Sequence, residues 1–220
     1  MVSIHFYGHS AVKISNKMNV IIDPGKWYGK MLVPSDEKAD IILVTHTHSD
    51  HLGNAAELSI KNKAIVVAPR NVIDEVAKSG APSELMKIIK PRENISYKGI
   101  KIEAHELTHG PKLFPFSRQM LGFTIFLSGK SFVHLGDAAS LENVRRMNCD
   151  ILFVPIGGFV TFDLNHAVEA VSIIKPKIAI PIHARTPISS SKPQNFVDLV
   201  EQRYPDVNVM ILKPGTSVEV

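Results

Sequence analysis

The sequence predicts an α/β domain whose sheets grow partly by hairpins and partly by strand-helix alternation. Three observations predict it. The first twenty-odd residues alternate apolar and polar side chains in short runs broken by turn residues, the period-2 pattern of half-buried antiparallel strands. Three later runs, 41–44, 64–68 and 178–182, are continuously apolar, and 149–156 is apolar but for Asp150, as strands buried on both faces are. Helical start and stop signals separate several of these runs.

The bulk numbers agree with one globular domain over 1–220. A chain of 220 residues with 45% apolar content can bury a sizeable core. No repeat or linker-like tract divides it. The formal charge of +4 permits anionic substrates without announcing a nucleic-acid binder. The single cysteine, Cys149, fits a reducing compartment. No apolar run approaches the ~18 residues of a membrane span. Met1 to His5 lacks the parts of a signal peptide, so cytoplasm is the expected location.

In order, Val2, Ile4 and Phe6 mark a first strand that Gly8-His9-Ser10 bends, and 11–15 and 20–22 continue an antiparallel meander closed by Asp23-Pro24-Gly25. His9 reads as a backbone-bonded turn histidine. Asp23 suits equally a turn bond or a hydrogen bond that orients a metal-bound histidine. The segment 26–34 has no clean period; Trp27 and Tyr28 would pack it down or wall a pocket. The strand 41–44 leads into Thr45-His46-Thr47-His48-Ser49-Asp50-His51, which reads as a tight loop. Then come a short helix over 54–60, a strand over 64–68, and a helix begun by Asn71 and stopped at Gly80. A further helix is expected over 82–90.

Strands resume at 95–97 and 99–108, the latter ending in His105-Glu106-Leu107-Thr108-His109-Gly110. His109, at the strand's end, is favoured over His105 as a ligand. Residues 112–119 look like a lid or pocket rim. A hairpin over 121–135 ends in Gly136-Asp137, followed by a helix over 141–148 and a strand over 149–156 in which Cys149 packs. Asp163 caps a helix whose Ala167, Val168, Val171 and Ile174 form one stripe, with His166 facing solvent. The strand 178–182 delivers His183 before Arg185. A helix over 195–203 and a strand over 207–212 complete the pattern.

His46, His48, Asp50 and His51 place four metal-capable side chains within six positions, and His109, Asp137 and His183 stand at three other strand ends. Imidazole and carboxylate suit zinc, manganese and iron alike, so the metal stays open; zinc is the leading choice. Seven donors exceed one tetrahedral ion and suit two divalent ions sharing a carboxylate. Such a pair would activate water as a hydroxide near neutral pH, which makes a hydrolase the economical reading.

The H-x-H-x-D-H run, the later histidine, the Gly-Asp pair and the histidine after Ile180-Pro181-Ile182 resemble the metallo-β-lactamase superfamily. Gly8-His9-Ser10-Ala11, Ile22-Asp23-Pro24, Pro155-Ile156-Gly157-Gly158 and Thr161-Phe162-Asp163 look like its small metal-dependent hydrolases, similar to ascorbate-phosphate lactonases and N-acylphosphatidylethanolamine phospholipases. The resemblance implies a four-layer αββα sandwich of two mixed β-sheets flanked by helices. It implies one ion on His46, His48 and His109, the other on Asp50, His51 and His183, with Asp137 bridging. It makes Asp50 also the catalytic group that orients the hydroxide or protonates the leaving group. A true β-lactamase is disfavoured because no zinc-binding cysteine stands at the Asp137 position.

The expected activity is hydrolysis of an ester, lactone or phosphodiester. The expected partner is a small molecule, anionic if Arg185, Arg118 and Lys112 stand at the rim. A homo-oligomer stays open. The competing classes are a non-catalytic metal or nucleic-acid binding module on the same fold, which would bind RNA without metals, and a diiron redox protein, which would absorb visible light and consume oxygen.

Overall fold

The computed structural model describes residues 1–110, 118–184 and 191–220, with Arg118 and Gln119 described in backbone alone. The chain divides into two compact units, Met1–Glu93 with Lys213–Val220, and Asn94–Leu212. The first contains β1 (Ser3–Gly8), β2 (Ala11–Ser15), β3 (Asn19–Ile22), β4 (Lys26–Trp27), β5 (Lys30–Met31), β6 (Ile41–Leu43), α1 (Ser49–Leu52), α2 (Ala55–Asn62), β7 (Ile65–Ala68), α3 (Arg70–Lys78) and β8 (Met86–Ile88). The second contains β9 (Asn94–Tyr97), β10 (Ile100–His109), β11 (Arg118–Leu127), β12 (Lys130–His134), β13 (Ile151–Pro155), α4 (Leu164–Ile174), β14 (Ile178–Ile182), α5 (Pro193–Arg203) and β15 (Asn208–Val209). A last strand, β16 (Thr216–Glu219), returns to the first unit.

Each unit is built on a seven-stranded mixed sheet, and the two sheets repeat one plan. In the first, the order is β16-β1-β2-β3-β6-β7-β8, with antiparallel pairs up to β3 and parallel pairs from β3 onward. In the second, β9 to β12 pair antiparallel and β12 to β15 pair parallel. Apart from the β16–β1 pair, the antiparallel halves are the sequence's hairpins. The parallel halves centre on its apolar runs, joined by crossovers because a parallel pair cannot close through a tight hairpin.

The helices bury the stripes that the sequence marks. In the second unit Ala167, Val168, Val171 and Ile174 of α4 join Phe196 and Val200 of α5 against Leu152, Val154 and Ile156. Asp163 caps α4, its side chain accepting from the His166 N–H at 2.9 Å. His166 is exposed, as expected. Val72, Ile73 and Val76 of α3 join Ile42, Val44 and Val66 in the first unit's core. Cys149 is packing: it is 4% exposed, and burial pushes its thiol up to about 12.

Several expected elements change. The helix expected over 82–90 is a single 3-10 turn, Ser83–Leu85, running into β8, because Met86–Ile88 finds a parallel partner in β7 that local pattern cannot reveal. The helix over 141–148 shrinks to the 3-10 turn Val144–Arg146. The 26–34 segment holds the small hairpin of β4 and β5. The final strand over 207–212 reduces to Asn208–Val209, while β16 was not expected at all. The rim over 112–119 lies outside the described residues for 111–117, as do the Arg118 side chain, Lys112 and Arg185. Among the described residues no helix is long and apolar enough to cross a membrane.

Asp150, at the start of β13, staples this strand to β12. Its carboxylate accepts from the Ser131 N–H and hydroxyl, both at 2.9 Å, and pairs with the Lys177 ammonium at 2.8 Å. The lysine hydrogen bond first, and the serine backbone second, hold its carboxyl down to about 2. A carboxyl depressed in the folded state contributes stability above its unfolded value near ~3.9, and that contribution fades as pH falls through about 4 to 2. Asp150→Asn is therefore expected to lower the urea midpoint at pH 7 and to flatten its fall between pH 4 and 2. Parallel acid profiles for the two proteins would contradict this.

Candidate functional site

In the first unit the sheet changes from antiparallel to parallel between β3 and β6, and the residues just past these two strands lie side by side. Asp23 follows β3 and is fully buried. Its carboxylate accepts from the Thr45 N–H at 2.8 Å and the Thr45 hydroxyl at 2.9 Å, and it sits 2.8 Å from His51 Nδ1. Of the two roles the sequence allowed Asp23, the orienting one is therefore present.

These bonds settle which nitrogens carry protons. The Nδ1–H of His51 donates to Asp23, so Nε2 keeps its lone pair and lies 3.7 Å from Asp50 Oδ2. The Thr45 hydroxyl spends its one proton on Asp23, so its oxygen accepts from His46 Nδ1 at 2.9 Å. His46 Nε2 is then also a lone-pair atom, and it meets His48 Nδ1 at 3.0 Å. His46 and His51 are buried, whereas His48 is exposed.

The His46–His51 segment includes the short helix α1 rather than being all loop. Four residues are too few to show a helical period, but tertiary packing fixes the turn. Gly25, at φ 45°, lies against the backbone of Asp50, where a Cβ would collide with its carbonyl oxygen. The Gly25 N–H also donates to the His51 carbonyl at 3.1 Å. Gly25→Ala is expected to cost at least ~2 kcal/mol, combining a backbone clash with a disfavoured φ. Thermal denaturation would show it as a drop of several degrees.

One residue in this region does not match its sequence reading. His9, expected to make only backbone bonds in its turn, has its Nε2 3.0 Å from Asp50 Oδ2 and its ring stacked on Trp27 at 3.9 Å. The ligand atoms of His9, Asp50 and His51 lie within 4.8 Å of one another, as do those of His46 and His48. Nothing in the local pattern separates such a histidine from a turn residue; the cue was its place in the Gly8-His9-Ser10-Ala11 motif.

The second unit gathers His109, Asp137 and His183. His109 ends β10, and its Nδ1–H donates to the Val160 carbonyl at 3.0 Å, which leaves Nε2 3.8 Å from Asp137 Oδ2. His183 follows β14 at φ 52°, with its Nε2 3.4 Å from the same carboxylate oxygen. Gly157 makes room for it, since a Cβ there would stand 2.8 Å from the His183 Nδ1. Asp137 is 2% exposed. Its loop is held by the bridge of His109 with Ala138 and by the Ala139 N–H donating to Thr108 at 2.9 Å. His134, another residue not singled out from sequence, accepts the Gly136 N–H at 3.1 Å and so fixes the turn that carries Asp137. His105 is not with this set: it bonds Thr124 Oγ1 at 2.7 Å, and burial lowers its pKa.

The donors fit divalent metal. Buried imidazoles oriented through Nδ1 by a carboxylate, a hydroxyl and a carbonyl, with Nε2 directed at carboxylates or at another imidazole, form the pattern that supports metal-bound histidine. His9, Asp23 and His183 also hold φ near 50°, a region uncommon for non-glycine residues and enriched at functional sites.

Comparison with known proteins agrees with this class of fold. Residues 3–183 match the model of the β-lactamase superfamily domain, and the chain belongs to that superfamily. It is 34% identical to a UPF0173 metal-dependent hydrolase of Lysinibacillus sphaericus, covering 98% of each chain. It is 33% identical to a UPF0173 metal-dependent hydrolase of Pelotomaculum thermopropionicum, covering 99% of each. Among solved structures, the metallo hydrolase Igni18 of the archaeon Ignicoccus hospitalis superposes with a TM-score of 0.83 at 22% identity, over 99% of this chain and 97% of that one.

Proposed function

We propose that this protein is a hydrolase that depends on two divalent metal ions and acts on a small ester, lactone or phosphodiester. Zinc is the first candidate, with manganese or iron as alternatives. His46, His48 and His109 would hold one ion and Asp50, His51 and His183 the other, with Asp137 serving both. The observation that carries this reading is the orientation of His46, His51 and His109. Each has its Nδ1 engaged, by Thr45, Asp23 and Val160, so that Nε2 is the ring nitrogen that would meet a metal ion. The names of the full-length relatives support the same chemistry.

Bound divalent ions would supply a water acidic enough to attack at neutral pH and a positive charge for the developing oxyanion. The chain's own part is to hold the donors and to move a proton. Asp50, 22% exposed in its side chain, would be the carboxylate that orients a water or protonates a leaving group. The test is elemental analysis of protein purified without chelator. It is coupled to a screen of phosphodiesters, phosphorylated lactones, thioesters and β-lactams before and after metal removal. About two ions per chain and chelator-sensitive hydrolysis are expected. Protein that takes up none of the three metals, or hydrolysis indifferent to chelation, would overturn the proposal.

A further inference from the structure

We propose that His9 is a positioning residue for Asp50: with Trp27 stacked on its ring, its Nε2–H fixes the Asp50 carboxylate so that one oxygen is committed to a ligand role. This rests on the metal-dependent reading above.

The starting point is an anomaly of burial. Gly8 pairs with Ala11 across the β1–β2 turn, so His9 and Ser10 form its tip. Polar side chains at turn tips normally point to water. The His9 side chain is instead 2% exposed, at φ 53°, a conformation costly for histidine. Something local must offset both costs. The observed contacts are the 3.0 Å bond to Asp50 Oδ2, the near-parallel Trp27 ring at 3.9 Å and 21°, and an edge contact with His51 at 5.7 Å.

The hairpin of β4 and β5 finds a purpose here, because Trp27 is its inward residue while Tyr28, beside it, is 75% exposed. The indole holds the imidazole plane, and the imidazole holds the carboxylate. Gly25 and Gly53 fix the backbone of α1 by close approach, but they do not constrain the two rotatable bonds of the Asp50 side chain. His9 does. A carboxylate already frozen in its working rotamer gives up little entropy when it takes a ligand, which is how an orienting partner raises affinity.

The experiment compares His9→Phe, which keeps the stacked ring without a donor, with His9→Gln, which restores an N–H near the Nε2 position. Metal-free protein is titrated with cobalt(II), and binding is followed by its visible spectrum and by stoichiometry. His9→Phe is expected to weaken one of the two ions by roughly 10- to 100-fold and to alter its spectrum, while His9→Gln stays within about threefold of the wild type. In an Asp50→Asn background His9→Phe should have no further effect, because the two residues act as one unit. In metal-free protein, long-range proton–nitrogen NMR should find the His9 ring protonated at Nε2, with a signal that shifts in Asp50→Asn.

Wild-type cobalt binding and spectrum in His9→Phe, or an equal loss with and without Asp50, would overturn the positioning role. An Nε2 signal indifferent to Asp50 would overturn the contact itself. A wild type that takes up no cobalt would overturn the metal reading instead, and the NMR result would still decide whether His9 holds Asp50.

Discussion

Asp137→Ala is expected to bind metal at least ~100-fold more weakly and to lose on the order of 10^3-fold in hydrolysis. The second figure corresponds to about 4 kcal/mol of transition-state stabilisation, within the several kcal/mol that a bound ion supplies. The cause lies in the second unit. Asp137 Oδ2 stands 3.4 Å from His183 Nε2 and 3.8 Å from His109 Nε2, so one oxygen serves two imidazoles. Without it the ion assigned to His46, His48 and His109 keeps imidazole donors alone and the other keeps Asp50 as its one carboxylate, so both lose electrostatic attraction. Asp137→Asn keeps the shape but not the charge and should resemble alanine in metal content. Metal analysis of the purified variants decides the matter; full stoichiometry with full activity in either would sink the assignment.

Asp23→Ala should do damage of a different kind, because it touches folding as well as binding. The fully buried carboxylate receives the Thr45 N–H, the Thr45 hydroxyl and the His51 Nδ1–H. Each of these three donors stranded in the interior costs ~1–3 kcal/mol, so a loss of about 4 kcal/mol is expected. Metal affinity should fall ~10- to 100-fold, as it does when the partner of a ligating histidine is removed. Asp23→Asn separates the two effects. Its oxygen can still accept from the Thr45 N–H, but its amide N–H would face both the Thr45 hydroxyl and His51 Nδ1 and drive the imidazole to the other tautomer. Stability measured by urea denaturation should recover in part while metal affinity does not. Recovery of both would mean that the His51 tautomer is unimportant.

Much of this was legible in the sequence because it is local. The apolar run 41–44 and the histidines after it declare a strand with donors at its end, whatever the rest of the chain does. Asp137 and His183 are legible on the same logic, His183 directly after a strand and Asp137 in the turn that follows one. What was not legible depends on partners far away in sequence. Met86–Ile88 becomes a strand only because β7 lies beside it, and three residues carry no period of their own. The Ser49–Leu52 turn is set by Gly25 rather than by helix propensity. His9 reads as a turn residue because its turn is real, but its ring answers to Asp50, 41 positions on. Register and capping are written locally; side-chain direction at a turn tip is not.

The return of Thr216–Glu219 to pair with Ser3–Phe6 bears on how the molecule is made. The second unit is one continuous stretch, Asn94–Leu212, whose antiparallel strands join sequence neighbours, so it can condense as soon as that stretch has left the ribosome. The first unit is translated earlier yet finished later, because β1 stays an open edge until residues from the far end of the sequence arrive. Closing that pair requires the longest loop in the chain and so belongs late in folding. During synthesis the nascent chain carries an unpaired Ser3–Phe6 edge, where pairing with another chain competes with completion of the sheet.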